Sequence, residues 1–508
     1  GAHGVGMVRS EFHRAMFGDR IVRAFEVVKA AFDPADVLNP GKIVHPNRMD
    51  DRALFRFAPG YHVSDMPTVL DWSAWPGSAG GFQGAVEMCN NNGACRKLDG
   101  GVMCPSYRVT REEKDVTRGR ANVLRLAISG QLGPSALTSD AMADSLRLCV
   151  SCKACRRECP TGVDMAKMKI EVLAARVASR GLSLRDRLVG YLPRYAPLAA
   201  WLAPLLNLRN RSPMLRRGLE RIAGISARRT LPRWRRDVFA PGKGPFGRED
   251  GPEVVLLADT FNRAYERENL DAALTVLTAA GYRVHLAAQG RRPLCCGRTF
   301  LSVGLVAKAR AELDRLVAAL APYAARGVPI VGLEPSCLLT LRDELGALRS
   351  DARATAVGAQ ALLFEEFLAR EARAGRLKLD LAPVAERALL HGHCHQKAFG
   401  AMQPVEQALR LIPGLQVSTV ESSCCGMAGA FGYGEETAGV SLAMAELSLL
   451  PAVRSAAPDA LIVADGTSCR HQIRDGTGKE PFHVARVLAM SLEKVKTAPL
   501  RTIAGKEL

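Results

Sequence analysis

The sequence predicts a multidomain chain of α+β and α/β class, a mainly helical cysteine-bearing domain followed by a duplicated α/β domain. Three observations predict it. Cys149-Val-Ser-Cys152-Lys-Ala-Cys155-Arg-Arg-Glu-Cys159-Pro160 sets four cysteines on a C-x2-C-x2-C-x3-C-P spacing. From Glu253 onward, short apolar runs alternate with amphipathic stretches, as strands followed by helices do. Cys295-Cys296-Gly297 returns 129 residues later as Cys424-Cys425-Gly426, and each unit is followed by one more cysteine, Cys337 or Cys469. That is an internal repeat. With 508 residues, 48% of them hydrophobic, the chain can bury several cores, and roughly 100 to 200 residues per domain gives three or four.

The first element, residues 1–50, runs from Gly1-Ala-His3-Gly-Val-Gly6 through a helical stretch around Ile21 to Ala31. It closes on Phe32-Asp33-Pro34-x3-Leu38-Asn39-Pro40-Gly41-Lys42. These two motifs resemble the closing segment of FAD-linked 2-hydroxyacid dehydrogenases of the vanillyl-alcohol-oxidase type. In that family the motif histidine takes the substrate hydroxyl proton, so the resemblance gives His3 a catalytic role and sets Asn39 and Lys42 at the cofactor. Ala2 departs from the pattern, standing where the family has glutamate. The family's flavin region precedes this segment, so FAD is expected in a preceding region, in the same polypeptide or in a separate subunit.

Residues 51–180 form the second element. The Cys149 run matches the signature by which ferredoxin-type domains hold iron-sulfur cubes on thiolates, three on a loop and a fourth beside another cube. An upstream set, Cys89-x5-Cys95-x8-Cys104-Pro105, answers it. The expected partition crosses the two: Cys149, Cys152 and Cys155 with Cys104 on one 4Fe-4S cube, and Cys89 and Cys95 with Cys159 on a second cluster. The second group is one thiolate short, with Asn92 where a middle cysteine belongs. A 3Fe-4S species, a cube with a non-thiolate ligand, and no cluster all stay open. Zinc suits C-x2-C pairs as well, but the Cys-Pro ending and the upstream echo favour iron-sulfur. Clustering by ligand spacing is the pattern of a reducing compartment rather than a disulfide framework, so a cytoplasmic location is expected.

The third element, residues 181–251, is a basic helical connector. Net charge is +18, yet residues 185–236 alone hold 13 arginines against Asp186 and Glu220. With the excess so localised, nucleic acid is not an expected partner. Prolines 193, 197, 204, 213, 232 and 241 predict short helices joined by turns. Arginine beside Leu and Trp suits a peripheral contact with the inner face of a membrane, a flavoprotein domain, or simple packing as a linker. No apolar run reaches the length of a membrane span, and no glycine-rich loop has the context of a nucleotide site.

Residues 252–380 and 381–495 are the two repeats, followed by a tail, residues 496–508. Strands are expected at 254–258, 282–287 and 329–333, then at 388–391, 415–420 and 461–464, with a helix over 269–280. Each cysteine follows a strand, at the edge where α/β sheets build ligand sites. This half resembles the cysteine-rich CCG domains of heterodisulfide reductase and of the iron-sulfur subunit of glycolate oxidase. The resemblance implies a metal centre, iron-sulfur or zinc, on Cys394, Cys424, Cys425 and Cys469 of the second repeat. It implies a weaker or vestigial one on Cys295, Cys296 and Cys337 of the first, where Asp259 or Thr260 replaces the extra cysteine. Gln472 stands where the fullest pattern ends in cysteine. His391, His393 and His395 are expected to be structural, with alternation turning His393 away from its neighbours.

Taken together, the elements resemble the C-terminal half of bacterial FAD and iron-sulfur D-2-hydroxyglutarate dehydrogenases, with glycolate and D-lactate dehydrogenases as cousins. The resemblance implies an oxidoreductase relaying electrons from flavin through clusters to a quinone or an electron carrier. Two other readings are an autonomous iron-sulfur reductase acting on a disulfide, and a zinc-stabilised scaffold without redox chemistry. Homo-oligomer formation is compatible with each.

Overall fold

The computed structural model describes residues 6–55, 57, 61, 63, 66–75, 80–240, 242 and 244–497. His3 lies outside them. The chain divides into two compact units after Ser64.

The first unit is built on the helix His13–Phe32, broken at Gly18, where φ is 76°. Asp33 ends it by folding the next turn around its carboxylate, which accepts the amides of Val37 at 3.0 Å and Leu38 at 2.8 Å. Ser10 Oγ accepts the Ile43 amide at 3.1 Å and His13 Nδ1 lies 3.0 Å from the Ile43 carbonyl, which closes the loop back on the helix. Phe32, Val37 and Leu38 remain exposed.

In the second unit, helices Gly81–Glu87, Pro105–Thr110, Thr117–Ile128, Asp140–Arg147, Ala154–Glu158 and Met165–Arg180 surround the clustered cysteines. Glu171, buried in the last of these, accepts the amides of Val69 and Leu70 and the Trp72 indole N–H, all within 2.9 Å. The connector includes the helices Leu192–Trp201, Ala203–Arg211 and Pro213–Ala223, each with proline at its first turn, while Pro197, expected at a turn, lies inside the first of them.

The repeats supply two sheets, the first extended by the short strand Phe246–Gly247, inside the segment expected to be a helical connector. Strands β1 (Phe246–Gly247), β2 (Glu253–Leu257), β3 (Arg283–Leu286), β4 (Ile330–Gly332) and β5 (Ala361–Leu363) order as β1-β3-β2-β4-β5, with only β1 antiparallel. Strands β6 (Arg387–Leu390), β7 (Gln416–Thr419) and β8 (Leu461–Val463) form a parallel sheet ordered β7-β6-β8. The central strands are apolar on both faces because helices cover both. One core joins the repeats: Leu256, Leu270 and Val276 of the first lie with Val405, Leu409, Val484 and Leu488 of the second, all fully buried. The helix after β2, Arg267–Ala279, packs on Val484–Thr497, and the helix after β5, Phe364–Arg373, packs on Met402–Leu409. This reciprocal packing turns the carboxyl ends of β4 and β8 toward each other. Glu334, after β4, accepts the amide of Thr467, after β8, at 2.8 Å.

Candidate metal centres

Four cysteines line one cavity. Cys104, Cys149, Cys152 and Cys155 surround it with Pro105, Thr117, Arg120 and Met165, the grouping expected for the first cube. The loop from Cys149 to Cys155 turns through left-handed residues, Ser151 at φ 50° and Lys153 at φ 61°, before the helix Ala154–Glu158 begins. Glu158 pins the opposite wall, accepting the amides of Val102 at 2.7 Å and Met103 at 3.1 Å. Amides of Ala154 and Met165 hydrogen-bond the sulfurs of Cys152 and Cys155, while burial pushes both thiols well above their ordinary range.

The cavity also contains its counter-charge. Arg120 is fully buried, with Nη1 3.5 Å from Cys104 Sγ, Nη2 2.9 Å from Ser106 Oγ, and the Asp115 carboxylate no nearer than 3.8 Å. A buried cation needs an anion. Burial opposes the Arg120 charge, and Cys104, Cys149 and Asp115 restore it. Thiolates bearing an anionic cluster fit this cradle, and no side chain fills it.

The second group is less complete. Cys95 has Cys89 and Cys104 as sulfur neighbours, and burial pushes its thiol up to about 11. Cys159 follows the helix Ala154–Glu158, which packs on the Ala94–Arg96 turn, and its sulfur lies 3.3 Å from Thr161 Oγ1. Asn92 does not point inward: its exposed side chain accepts the Ala94 amide at 2.8 Å and bonds Asn90. Asn91, exposed as well, is the asparagine that approaches sulfur, with Oδ1 3.8 Å from Cys89 Sγ and 2.8 Å from Asn122 Nδ2.

In the second repeat the four cysteines form one compact chain. Thiol hydrogen bonds link Cys394 to Cys424, Cys424 to Cys425, and Cys425 to Cys469. The bond from Cys424 brings Cys394 down to about 6, and bonds from Cys424 and Cys469 hold Cys425 well below its ordinary value. Thiolates are the metal-binding form, so both shifts lie in the direction that metal binding requires. Lys397, buried beside the sulfurs, donates to Ser422 Oγ at 3.0 Å and to the Ser422 carbonyl at 2.5 Å. Gly426 is required twice over, at φ 83° and with the Ser441 carbonyl oxygen inside contact distance of where a Cβ would sit.

The first repeat copies this frame with weaker donors. Cys295, Cys296 and Cys337 are linked in the same way, and the Gly297 amide meets Cys295 Sγ at 3.3 Å as Gly426 meets Cys424 at 3.4 Å. Thr260 opens the helix Thr260–Ala264 as Cys394 opens Cys394–Ala398, with Asp259 capping the one and His393 the other. Its hydroxyl bonds Cys295 where Cys394 bonds Cys424. Between Asp259 and Thr260, it is therefore Thr260 that takes the place of the extra cysteine. All three thiols here are pushed up, which disfavours metal binding.

The cube cavity and the second-repeat centre are neighbours. The helix Cys394–Ala398 packs on Ala154–Glu158, and Cys152 and Cys394 lie close enough to repel one another's charge. Ser423 Oγ donates to the Val102 carbonyl at 2.5 Å, and His395 Nε2 lies 3.1 Å from the Ser151 carbonyl. A buried charge cluster welds the same loop to the first repeat: Lys153 Nζ lies 2.7 Å from Asp343 and 2.6 Å from Glu344, joined by Lys167, Arg156 and Arg298.

Of the three histidines after β6, two are structural as expected: His393 Nδ1 caps its helix and His395 bridges to Ser151. His391 differs. One of its ring nitrogens lies within 4.8 Å of both Cys425 and Cys469 sulfurs, themselves that close to each other. Gln472 is turned away, donating to the Ser441 carbonyl at 3.1 Å and accepting from Arg229. Asn39 and Lys42 sit on the exposed turn of the first unit, Lys42 Nζ 3.2 Å from Asn39 Oδ1. A second buried group, Glu365, Asp465 and His483, has His483 Nδ1 accepting the Ala485 amide and Nε2 facing the Leu333 carbonyl, so neither nitrogen offers a lone pair.

Three segments of the chain match known family models. Residues 1–43 match the C-terminal domain of FAD linked oxidases, 85–163 a 4Fe-4S dicluster domain, and 388–474 a cysteine-rich domain. The cysteine-rich match covers the second repeat, where the fuller donor set lies. The chain is 27% identical to D-2-hydroxyglutarate dehydrogenase of Escherichia coli (strain K12), over 94% of this chain and 50% of that protein. It is 28% identical to the protein of that name in Pseudomonas putida, over 96% of this chain and 50% of that one. It is also 26% identical to a subunit of the anaerobic glycerol-3-phosphate dehydrogenase of Escherichia coli (strain K12), over 61% of this chain and 78% of that protein. The chain thus spans about half the length of the hydroxyglutarate dehydrogenases it matches. It combines segments similar to flavin-linked oxidases, to 4Fe-4S dicluster domains and to cysteine-rich domains, and the relatives named here are dehydrogenases. Among the described residues, no helix is long and apolar enough to cross a membrane.

Proposed function

We propose that this chain is the electron-relay portion of an FAD-dependent D-2-hydroxyacid dehydrogenase, with D-2-hydroxyglutarate as substrate and 2-oxoglutarate as product. Oxidation removes two electrons and two protons from the hydroxyacid at a flavin supplied by a partner domain or subunit. Cys104, Cys149, Cys152 and Cys155 would hold one cluster, Cys89, Cys95 and Cys159 a second, and these groups would supply one-electron carriers between that flavin and the metal centre of the second repeat. The observation that carries this reading is the junction of loop to centre at Ser151 and His395. The protein sets each potential through ligand type, burial and hydrogen bonds to sulfur. His3, Asn39 and Lys42 would meet the flavin from the first unit, whose exposed Phe32, Val37 and Leu38 form an apolar face suited to docking.

The acceptor in this reading is a quinone reached at a membrane surface. Trp201 is 71% exposed, Met214 78% and Ile222 72%, on the connector helices. Arg211, Arg217 and Arg221 on the same helices are exposed and form no ion pair among the described residues. Apolar anchors interleaved with free cations suit an anionic bilayer face.

The test joins the anaerobically reconstituted chain to a flavin region and adds each short D-2-hydroxyacid while EPR follows the clusters. Reduction by D-2-hydroxyglutarate supports the reading. Clusters that stay oxidised with every hydroxyacid, though dithionite reduces them, would end it.

A further inference from the structure

We propose that His391 is a nitrogen ligand of the metal centre in the second repeat, bound through Nε2 to the ion that Cys425 and Cys469 share. The proposal rests on the reading that this repeat holds a metal, and it adds a donor of a different kind to the four cysteines.

The side chain is prepared for the role. His391 is 1% exposed, and its ring faces sulfur, with a hydrogen bond to the Cys425 side chain. One ring nitrogen is committed: Nδ1 lies 2.9 Å from Ser422 Oγ. That hydroxyl already accepts from Lys397 Nζ at 3.0 Å and directs its proton toward the Val420 carbonyl at 3.5 Å. With Lys397 already donating to this hydroxyl, the tautomer that donates from Nδ1 to Ser422 Oγ leaves the free pair on Nε2. A ring that donates from one nitrogen while the other binds metal is the usual state of a ligating histidine.

The spacing agrees. One ring nitrogen and the two sulfurs all lie within 4.8 Å of one another. Bonds of about 2.3 Å to sulfur and 2.0 Å to nitrogen place donors that near around one ion without moving the backbone. The cube cavity differs, with its four cysteines set around an open space.

The duplication provides an internal control. Counting back from the paired helix starts, Leu257 holds in the first repeat the place of His391, as Thr260 holds that of Cys394. The repeat that loses the fourth cysteine loses the histidine too. The repeat that keeps one keeps both.

The test uses the full chain, purified anaerobically, with metal and sulfide counted in wild type, Cys425→Ser, His391→Ala and His391→Cys. Cys425→Ser gives the share of metal that belongs to this centre. X-ray absorption at the edge of that metal then reads its ligands, by difference from Cys425→Ser. The expected result is a nitrogen scatterer in wild type, lost in His391→Ala together with at least ~10-fold of the metal's resistance to chelator, the loss that even outer-shell changes produce. His391→Cys should regain the metal with an all-sulfur shell. An all-sulfur shell in wild type, unchanged in His391→Ala, overturns the proposal and leaves the relay reading intact. Equal metal in wild type and Cys425→Ser overturns both.

Discussion

His395 meets the Ser151 carbonyl at 3.1 Å through Nε2. Burial, with Arg298 and Lys153 nearby, holds the imidazole well below its ordinary pKa, so the ring is neutral and the carbonyl accepts its Nε2–H. Ser151 lies between Cys149 and Cys152, and His395 follows Cys394 directly. One hydrogen bond therefore fixes the loop of the first cube against the helix that begins with a donor of the next centre.

Breaking that bond should separate the centres without removing a ligand. In His395→Ala, the iron of both centres should be retained while the reduced first cube passes its electron on more slowly, measured by freeze-quench EPR. An orphaned buried carbonyl costs about 1 to 3 kcal/mol, which urea denaturation of the holoprotein should register. Unchanged transfer kinetics with lowered stability would make His395 a packing residue only.

The cavity assigns Cys104 to the downstream loop, so Cys104→Ser should behave like Cys152→Ser. Each should lose the first cube, about four irons, along with its visible absorbance. Cys159→Ser should leave that cube in place and abolish any three-iron signal in the oxidised protein. If Cys159→Ser removed the first cube instead, the crossed partition would be wrong.

How much of this was legible in the sequence depended on the geometry each residue obeys. The central strands could be read because a doubly covered parallel strand is an unbroken apolar run, as in Val254 to Leu257. Strand β5 could not, because Ala361–Leu363 is three residues between two helices and shares their apolar periodicity. Alternation was the wrong rule for the histidines. Strand β6 ends at Leu390, and beyond it the turn into the helix, capped by His393, sets side-chain direction. Asn92 was noticed by counting, but the left-handed Asn91 beside it, at φ 63°, is what approaches Cys89. Arg120 stands in the motif Thr117-Arg-Gly-Arg120, but only the fold shows that it meets Cys104.

Acid should loosen the second-repeat centre through Glu266. Burial would raise its carboxyl, but the Arg470 guanidinium overrides this and holds it at about 2, against an ordinary 4.5. Arg470 follows Cys469, so the pair ties the first repeat to the helix that carries a donor. A depressed folded pKa gives stability that is complete above 4.5 and lost as pH falls toward 2, worth about 3 kcal/mol. In Glu266→Gln that acid-dependent loss should largely vanish, while stability at pH 7 falls by about 3 to 5 kcal/mol because Arg470 is left buried and unpaired. Denaturation midpoints at pH 7 and pH 3.5 would show it, and parallel pH dependence in both proteins would refute the assignment.

The connector should bind vesicles. Flotation with phosphatidylglycerol liposomes is expected to carry the chain upward at low salt and to fail with neutral phosphatidylcholine. Each free arginine near an anionic surface contributes about 1 kcal/mol, so Arg211→Glu with Arg217→Glu should release it. Trp201→Glu should weaken binding even where salt does not. Flotation indifferent to lipid charge would point to apolar adsorption rather than a bilayer face.

The first repeat offers a gain-of-function test of the duplication. Thr260 begins its helix where Cys394 begins the equivalent one, and its hydroxyl bonds Cys295 as Cys394 bonds Cys424. Thr260→Cys adds a fourth sulfur at a position where the backbone already presents one in the other half. Four thiols in mutual contact share protons, and a zinc or iron ion displaces those that remain. The variant should therefore take up about one more metal ion per chain, and its first-repeat thiols should become resistant to alkylation once loaded. Leu257 stays apolar, so this new site should have only sulfur ligands and hold its metal more weakly than the second repeat. Thr260→Ser, which keeps the hydroxyl, should take up nothing extra. If Thr260→Cys bound no more metal than Thr260→Ser, the first repeat would lack the geometry of a metal site, and the frame it shares with the second would be packing alone.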